Sequence, residues 1–431
     1  MSYLTRLKIE AKDALRFSPL VRQVLSKLTA ARAAKRNGLE RVELLCKAIR
    51  LSPSDSWTAK LEDRLRIAAD ATSPTAADLI ALREDHAEPQ IPKAAILKPW
   101  ISDQEKGIVF ISFEEQWARL LQCSELEGFA ERYQLVISPT WSPPQTTFNC
   151  MFPRVYPGKI VTLISNERDM QYFPSMSPDY VPVELYASSW VQPETFTPMP
   201  FETKDIDLIV ISNFGLYKRH FELFKALREM PVPLKVVCVG QANGGRSAEV
   251  LMNEAAAYGV ADRIDLRESV SNEELLDLLC RAKTSAIFSR REGSCVVVVE
   301  SMFADTPIGL FEDAGIGSKV FINEQTGRLL SHRNLADDLY EFVQMAQGYS
   351  PRKWVMENGV SCHGSTTKLN AFLKEFALAE GAEWAQDIYA QHWRPNPLVI
   401  DPDEALIAAK EAQTIYERFG IDFTCRTGCA D

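Results

Sequence analysis

Histidine is scarce in this chain, five in 431 residues, which makes a histidine-rich metal centre a poor expectation. Long apolar runs are missing too. The longest stretches, such as Cys295 to Val299, fall far short of the roughly 20 residues that cross a bilayer. The N-terminus carries a charge every few residues and has no signal-peptide apolar core. Nine cysteines are scattered, mostly inside apolar runs (Cys46, Cys238, Cys280), and read as buried reduced thiols rather than a disulfide framework. Cys425 and Cys429 lie close together in the tail but have no second ligand pair, so an unpaired tail is expected over a metal or disulfide site. Net positive charge is absent: the formal charge is −10, which argues against a generic nucleic-acid binder. A cytoplasmic chain is expected.

What is present is an ordinary globular mixture, 46% apolar and 25% charged, long enough for two or three domains. Residues 1–98 read as a helical, basic extension with no strand-like run. Their first 50 residues hold twelve Lys/Arg against four acids, a net of 12 − 4 = +8, so the remainder carries −18. Leu15, Phe17, Leu20, Val21, Val24, Leu25 and Leu28 recur at mainly three- and four-residue spacing, an amphipathic stripe. Two readings stay open: contact with anionic lipid at the inner membrane face or another partner, or packing on the protein itself or on a second copy. The Pro-bearing stretch Glu88 to Pro99 reads as a linker.

Residues 99–200 alternate short strands (Ile108–Phe113, Tyr133–Ser138, Ile160–Ser165, Val181–Ala187) with Pro-rich loops and predict a small α/β domain. The aromatic, Pro-rich loop from Trp141 to Tyr156 is a candidate binding surface, since ligand faces stack on aromatic rings; its rings could equally cap the domain core. Glu114, Glu115, Glu167 and Asp169 lie near expected strand ends and are candidates to orient a ligand hydroxyl. Residues 201–380 alternate strand and helix strictly, which implies a parallel, doubly wound sheet with its ligand site beyond the carboxyl ends of the strands. That directs attention to Ser212–Lys218, Gly240–Gly245 and Ser289–Ser294. A C-terminal tail over 381–431 is expected to cross back.

The densest signal is Ser289-Arg-Arg-Glu292-Gly293-Ser294-Cys295, four valines and Glu300, continuing to Pro307. Gly293 permits close backbone approach, and Ser294 is a good cap for a helix whose N-terminus favours a diphosphate. Glu300 inside that helix is placed to accept ribose hydroxyls; its bland reading is a salt bridge. This stretch resembles the E-x7-E signature of retaining GT-B glycosyltransferases, with Phe288, Ser301 and Asp305 departing from the usual Pro, Ala and Gly. Upstream, Ser212-Asn213-Phe-Gly-Leu-Tyr-Lys218-Arg219 is similar to that family's diphosphate clamp: Lys218 matches, Asn213 stands where an arginine is usual, and Arg219 is the alternative cation. Gly240 matches the family's Val-Gly-x-Gly.

The resemblance implies two Rossmann-like domains facing a cleft and metal-independent transfer of a hexose, with retention. The donor would be a UDP- or GDP-sugar, the acceptor a glycan or lipid-linked molecule, and no separate cofactor is implied. Glu292 would hold sugar hydroxyls and Lys218 the leaving diphosphate; Asn213, Arg219, Gly240, Gly293, Ser294, Cys295 and Glu300 would line the nucleotide. The family's Gly-rich loop after the first strand is replaced by Ser112-Phe-Glu-Glu-Gln-Trp117, and its N-terminal-domain histidine is missing. Those departures suit the alternative, a non-catalytic homologue that binds a glycan or a protein partner as a scaffold.

Overall fold

The computed structural model describes residues 2–82, 90–230, 232–393 and 396–423, without the side chains of Ser2 and Tyr3. Cys425 and Cys429 lie outside the described residues. The chain divides into two compact units rather than four consecutive segments. One holds the residues up to Leu15 together with Val191–Ser361; the other holds Arg16–Trp190 and the residues from Cys362 onward.

The second of these is built on a five-stranded sheet in the order β1 (Ala94–Lys98), β2 (Gly107–Ser112), β3 (Tyr133–Ser138), β4 (Ile160–Ile164) and β5 (Tyr180–Tyr186). β1 is antiparallel to β2 and the others are parallel. Half of the described part of the expected linker, Ala94–Lys98, is therefore an edge strand. A run such as Ala-Ala-Ile-Leu-Lys reads as neither helix nor half-exposed strand, because all five residues are buried.

Successive side chains along these strands point to opposite faces. On one face Val109, Ile111, Leu135 and Ile137 join a core shared with α2 (Pro19–Ala33), α3 (Gly38–Leu51), α4 (Asp55–Asp70), α5 (Ala76–Ala81) and the helix Pro402–Phe419. On the other, Ile108, Phe110 and Val136 pack with Leu369 and Leu373 of helix Cys362–Ala379 and with Trp190. The N-terminal helices α2–α5 are thus one layer of this unit, not an extension. Each fully buried aliphatic chain contributes about 1.5–3 kcal/mol, so the layer is integral to stability.

The aromatic loop resolves in the same way. Phe148 and Phe152 are buried against Trp117 and Tyr156 is buried on Phe152, with helix Thr147–Met151 running through the segment. Trp141 alone of its rings is exposed. Glu114 binds Thr140 and Asn149, and Asp169 accepts from Ser142 Oγ and the Ser165 and Asn166 amides. These two carboxylates hold loops, and the rings fill core; neither group forms an acceptor surface.

The remaining unit has a fully parallel six-stranded sheet: β6 (Ile206–Ile211), β7 (Val236–Gly240), β8 (Ile264–Glu268), β9 (Ala282–Ile287), β10 (Ile308–Phe311) and β11 (Gly327–Leu330). Their spatial order is β8-β7-β6-β9-β10-β11, the 3-2-1-4-5-6 arrangement of doubly wound nucleotide-binding sheets. The order reverses between β6 and β9, the switch point beyond whose carboxyl ends doubly wound sheets take their ligands. Helix α1 (Ser2–Phe17) packs on this unit through residues up to Leu15: Glu10 accepts from Tyr258 Oη at 2.9 Å and the Arg6 guanidinium sits over the Tyr258 ring.

Candidate functional site

The loop after β6 and the loop after β9 bring together what the sequence separates by 74 positions. Lys218 closes a short 3-10 turn, Leu216–Lys218, and its Nζ donates to Glu292 Oε1 at 2.8 Å. Each side chain is 11% exposed. Glu292 also accepts from Ser289 Oγ and from the Cys295 thiol. Burial works against the Lys218 ammonium, but the neighbouring Glu292 outweighs it and holds the lysine pKa above its ordinary value. Burial, then Glu292, pushes the Cys295 thiol well up, so Cys295 is a neutral donor and not a nucleophile. Lys218 and Glu292 therefore form a charged pair at the switch point, and an incoming anion would compete with Glu292 for the lysine.

Both loops are laced to their neighbours. The Glu292 amide donates to Gly315 O, the Gly315 amide to Arg290 O, and the Gly317 amide to Gly293 O. On the other side Phe214 N donates to Gln241 O, and Arg246 Nε donates to Phe214 O while its guanidinium pairs with Glu254. Asn213 holds its own turn, accepting from Gly215 N at 3.0 Å and donating to Tyr217 Oη at 2.8 Å. His220, next to this turn, shares a hydrogen bond with Ser212 Oγ and is kept neutral, its pKa down at about 3, by burial and then by Arg246 and Lys218.

Gly240 has a structural reason of its own. A Cβ there would sit 2.1 Å from Ser212 O, so the bare backbone serves the β6–β7 contact before it serves any ligand. Gly240→Ala should cost about 1–3 kcal/mol by forcing the Ser212–Lys218 turn aside, read as a lower melting temperature in differential scanning calorimetry.

The helix after β9 begins later than the sequence suggests. It spans Val296–Phe303, with Cys295 rather than Ser294 at the cap position and no side-chain capping bond. Gly293 and Ser294 form the bend before it, and Glu300 is half-buried in its second turn. Its C-terminal end is anchored by Lys204, which is buried and donates Nζ to the carbonyls of Ala304 and Asp305. Negative carbonyl charge at a helix end suits a cation there. Asp305 has φ +52, the left-handed backbone that explains why the resembled signature carries glycine at that position.

Arg219 is placed elsewhere than the sequence expectation puts it. It adopts φ +57 and turns inward, its side chain 1% exposed. There it makes a two-pronged ion pair with α1, Nε donating to Asp13 Oδ1 at 3.0 Å and Nη2 to Asp13 Oδ2 at 3.1 Å, and it also pairs with Glu222 and donates to Phe288 O. Its charge is spent on anchoring α1, so it is not the second cation of a diphosphate clamp. The residue sequence reasoning missed is Asp13, whose only signal is its being one of two acids before residue 40.

The chain contains one Asp-x-Asp between residues 87 and 400, Asp205-Ile-Asp207. It lies at the amino-terminal end of β6, opposite the switch point. Arg281 and Lys235 bind Asp205, and Lys283 binds Asp207. Those cations hold the Asp205 carboxyl far below the usual range.

Residues 191–345 match the family model described as Glycosyl transferases group 1. The matched segment contains every residue of the switch-point cluster. No curated protein sequence matches this chain. Similar solved structures include sucrose-phosphate synthase from Thermosynechococcus elongatus, at 16% identity over 63% of this chain and 74% of that one, with a TM-score of 0.49. TarM is similar at 13% identity and the same TM-score over 64% of this chain, which spans only 56% of TarM. Anabaena HepE, solved with UDP, is similar at 14% identity over 63% and 78% of the two chains, with a TM-score of 0.45.

Proposed function

We propose that this protein transfers a hexose from a UDP- or GDP-sugar to a glycan or lipid-linked acceptor, with retention and without a metal. The observation that carries the reading is the Lys218–Glu292 pair at the β6/β9 switch point, inside the segment that matches the glycosyl transferases group 1. The donor diphosphate would draw Lys218 from Glu292, and the freed carboxylate would accept hydroxyls of the sugar. Glu300 would accept the ribose hydroxyls, and the N–H groups opening helix Val296–Phe303 would face the phosphates. In a front-face displacement the bond from C1 to the phosphate oxygen breaks as the bond from C1 to the acceptor oxygen forms. The acceptor proton passes to the departing phosphate, so Cys295 and His220, both neutral, need no role as nucleophile or base.

Donor binding is the direct test. A nucleotide diphosphate at about 100 times its dissociation constant stabilises the folded state by about 2.7 kcal/mol, or roughly 5–10 °C for a unit of this size. Among UDP, GDP and ADP, one should produce that shift in the wild type and lose most of it in Glu300→Ala. If none of the three moves the melting temperature, the reading fails. One observation favours a second reading, a non-catalytic binding scaffold: Arg219 is committed to α1, and Lys218 already has a carboxylate partner. A protein that binds the nucleotide but releases no sugar from it, with any acceptor supplied, would be that scaffold.

A further inference from the structure

Helix α2 is inside out. A helix on a water-soluble unit buries its large apolar residues and exposes its small and polar ones. Here the buried residues are Ser26, Ala30 and Ala33, whereas Leu20 is 80% exposed, Val24 57% and Leu28 58%, with Val21 and Leu25 beside them. Positions 20, 21, 24, 25 and 28 make one continuous stripe along the helix.

The helix cannot roll to hide this stripe. Ser18 caps it by accepting from Val21 N, and Pro19 begins it. Ser26 Oγ donates to Ala48 O at 2.7 Å and accepts from Trp57 Nε1 at 2.9 Å; Arg64 donates to Ala30 O, and Arg22 to Arg50 O. The small inward residues let α2 lie close on α3, and the bonds lock that face down.

Charge identifies the occupant. From residue 14 to residue 39 there is no acid, while Arg16, Arg22, Lys27, Arg32, Lys35 and Arg36 are all basic, in a chain whose net charge is −10. Lys27 and Arg32 are exposed on the helix itself. A two-fold contact between copies of α2 would set these cations against one another. A negatively charged lipid surface meets both needs at once, taking the apolar stripe into the acyl boundary and the cations at the headgroups. We infer that α2 docks this protein, stripe first, on an anionic bilayer.

Co-sedimentation of the full-length protein with phosphatidylcholine vesicles, with and without phosphatidylglycerol, tests this. Binding is expected only with phosphatidylglycerol, and it should weaken as salt is added. The triple variant Leu20→Ser/Val24→Ser/Leu28→Ser should partition on the order of a hundredfold less, and Lys27→Glu/Arg32→Glu roughly tenfold less or lower. All five side chains are on the exposed face, so both variants should melt with the wild type, which separates lost docking from lost folding. No binding to the anionic vesicles, equal binding to both vesicle types, or binding that survives the triple variant would overturn the proposal. So would a concentration-dependent dimer in sedimentation velocity that the triple variant abolishes, since the stripe would then be an interface between copies.

Discussion

Lys218→Ala should reduce the proposed sugar transfer by about 100- to 1,000-fold. Removing one donor that is preorganised toward developing charge costs about 2.7–4 kcal/mol in transition-state stabilisation, and in the proposed reaction Lys218 is that donor. Its turn is pinned through Phe214 to Gln241 and Arg246, and its ammonium is kept protonated by Glu292. Because the diphosphate of the proposed donor would gain charge as the sugar departs, the loss should fall chiefly on kcat. Glu292→Gln separates the two members of the pair. It keeps the volume and the contacts to Ser289 and Cys295 but removes the charge that competes with the diphosphate for Lys218. The amide should therefore bind free UDP or GDP at least as tightly as the wild type and still transfer sugar poorly. Unchanged turnover in both variants, measured as nucleotide release with acceptor present, would remove the pair from the reaction.

The second large effect concerns stability. Arg219→Ala should destabilise the unit containing β6–β11 by about 3–5 kcal/mol, the usual cost of leaving one side of a buried ion pair without its partner. Two carboxylates, Asp13 and Glu222, lose their common cation, and Phe288 O loses a donor. For a unit of this size the melting temperature should fall by roughly 6–20 °C. Asp13→Asn removes the charge from the α1 side alone and leaves Glu222 to balance Arg219, so its effect should be smaller and centred on α1. Hydrogen exchange should then show α1 amides opening while those of β6 and β9 stay protected. If Arg219→Ala melts with the wild type, the buried network is dispensable and the anchoring account is wrong.

The parallel-sheet unit was legible because its residues repeat one local rule. Strands such as Ile206–Ile211 and Val236–Gly240 are short β-branched runs closed by a turn. Two of the helices in this unit begin with good caps, Ser247 and Ser271 each accepting from the amide three residues on. Strict alternation then leaves a parallel doubly wound sheet as the consistent topology, and the switch point follows. The other unit was harder. Ala94–Lys98 is an edge strand buried along its whole length, which erases the alternation that reveals strands. The aromatic loop carries no periodicity, so only its packing against Trp117 shows that it is core.

What the linear order of residues determined by itself was the kind of unit 206–330 would form and the strand ends at which Lys218 and Glu292 would emerge. Those are consequences of short-range pattern and of the handedness rule for crossovers. Only the tertiary structure decided which charges would be used up internally. Arg219 and Lys218 are adjacent, equally cationic and on the same turn, yet a left-handed backbone at Arg219 swings one inward to Asp13, 206 residues away, and leaves the other at the switch point. The same holds for α2, whose apolar stripe is visible in the sequence while the face it turns to solvent is set by Ser26, Ala30 and Ala33 fitting against the next helix. Local propensity carries no information about partners that far along the chain; burial and ion pairing do, because a charge or an apolar face has a definite cost only where the folded environment is known.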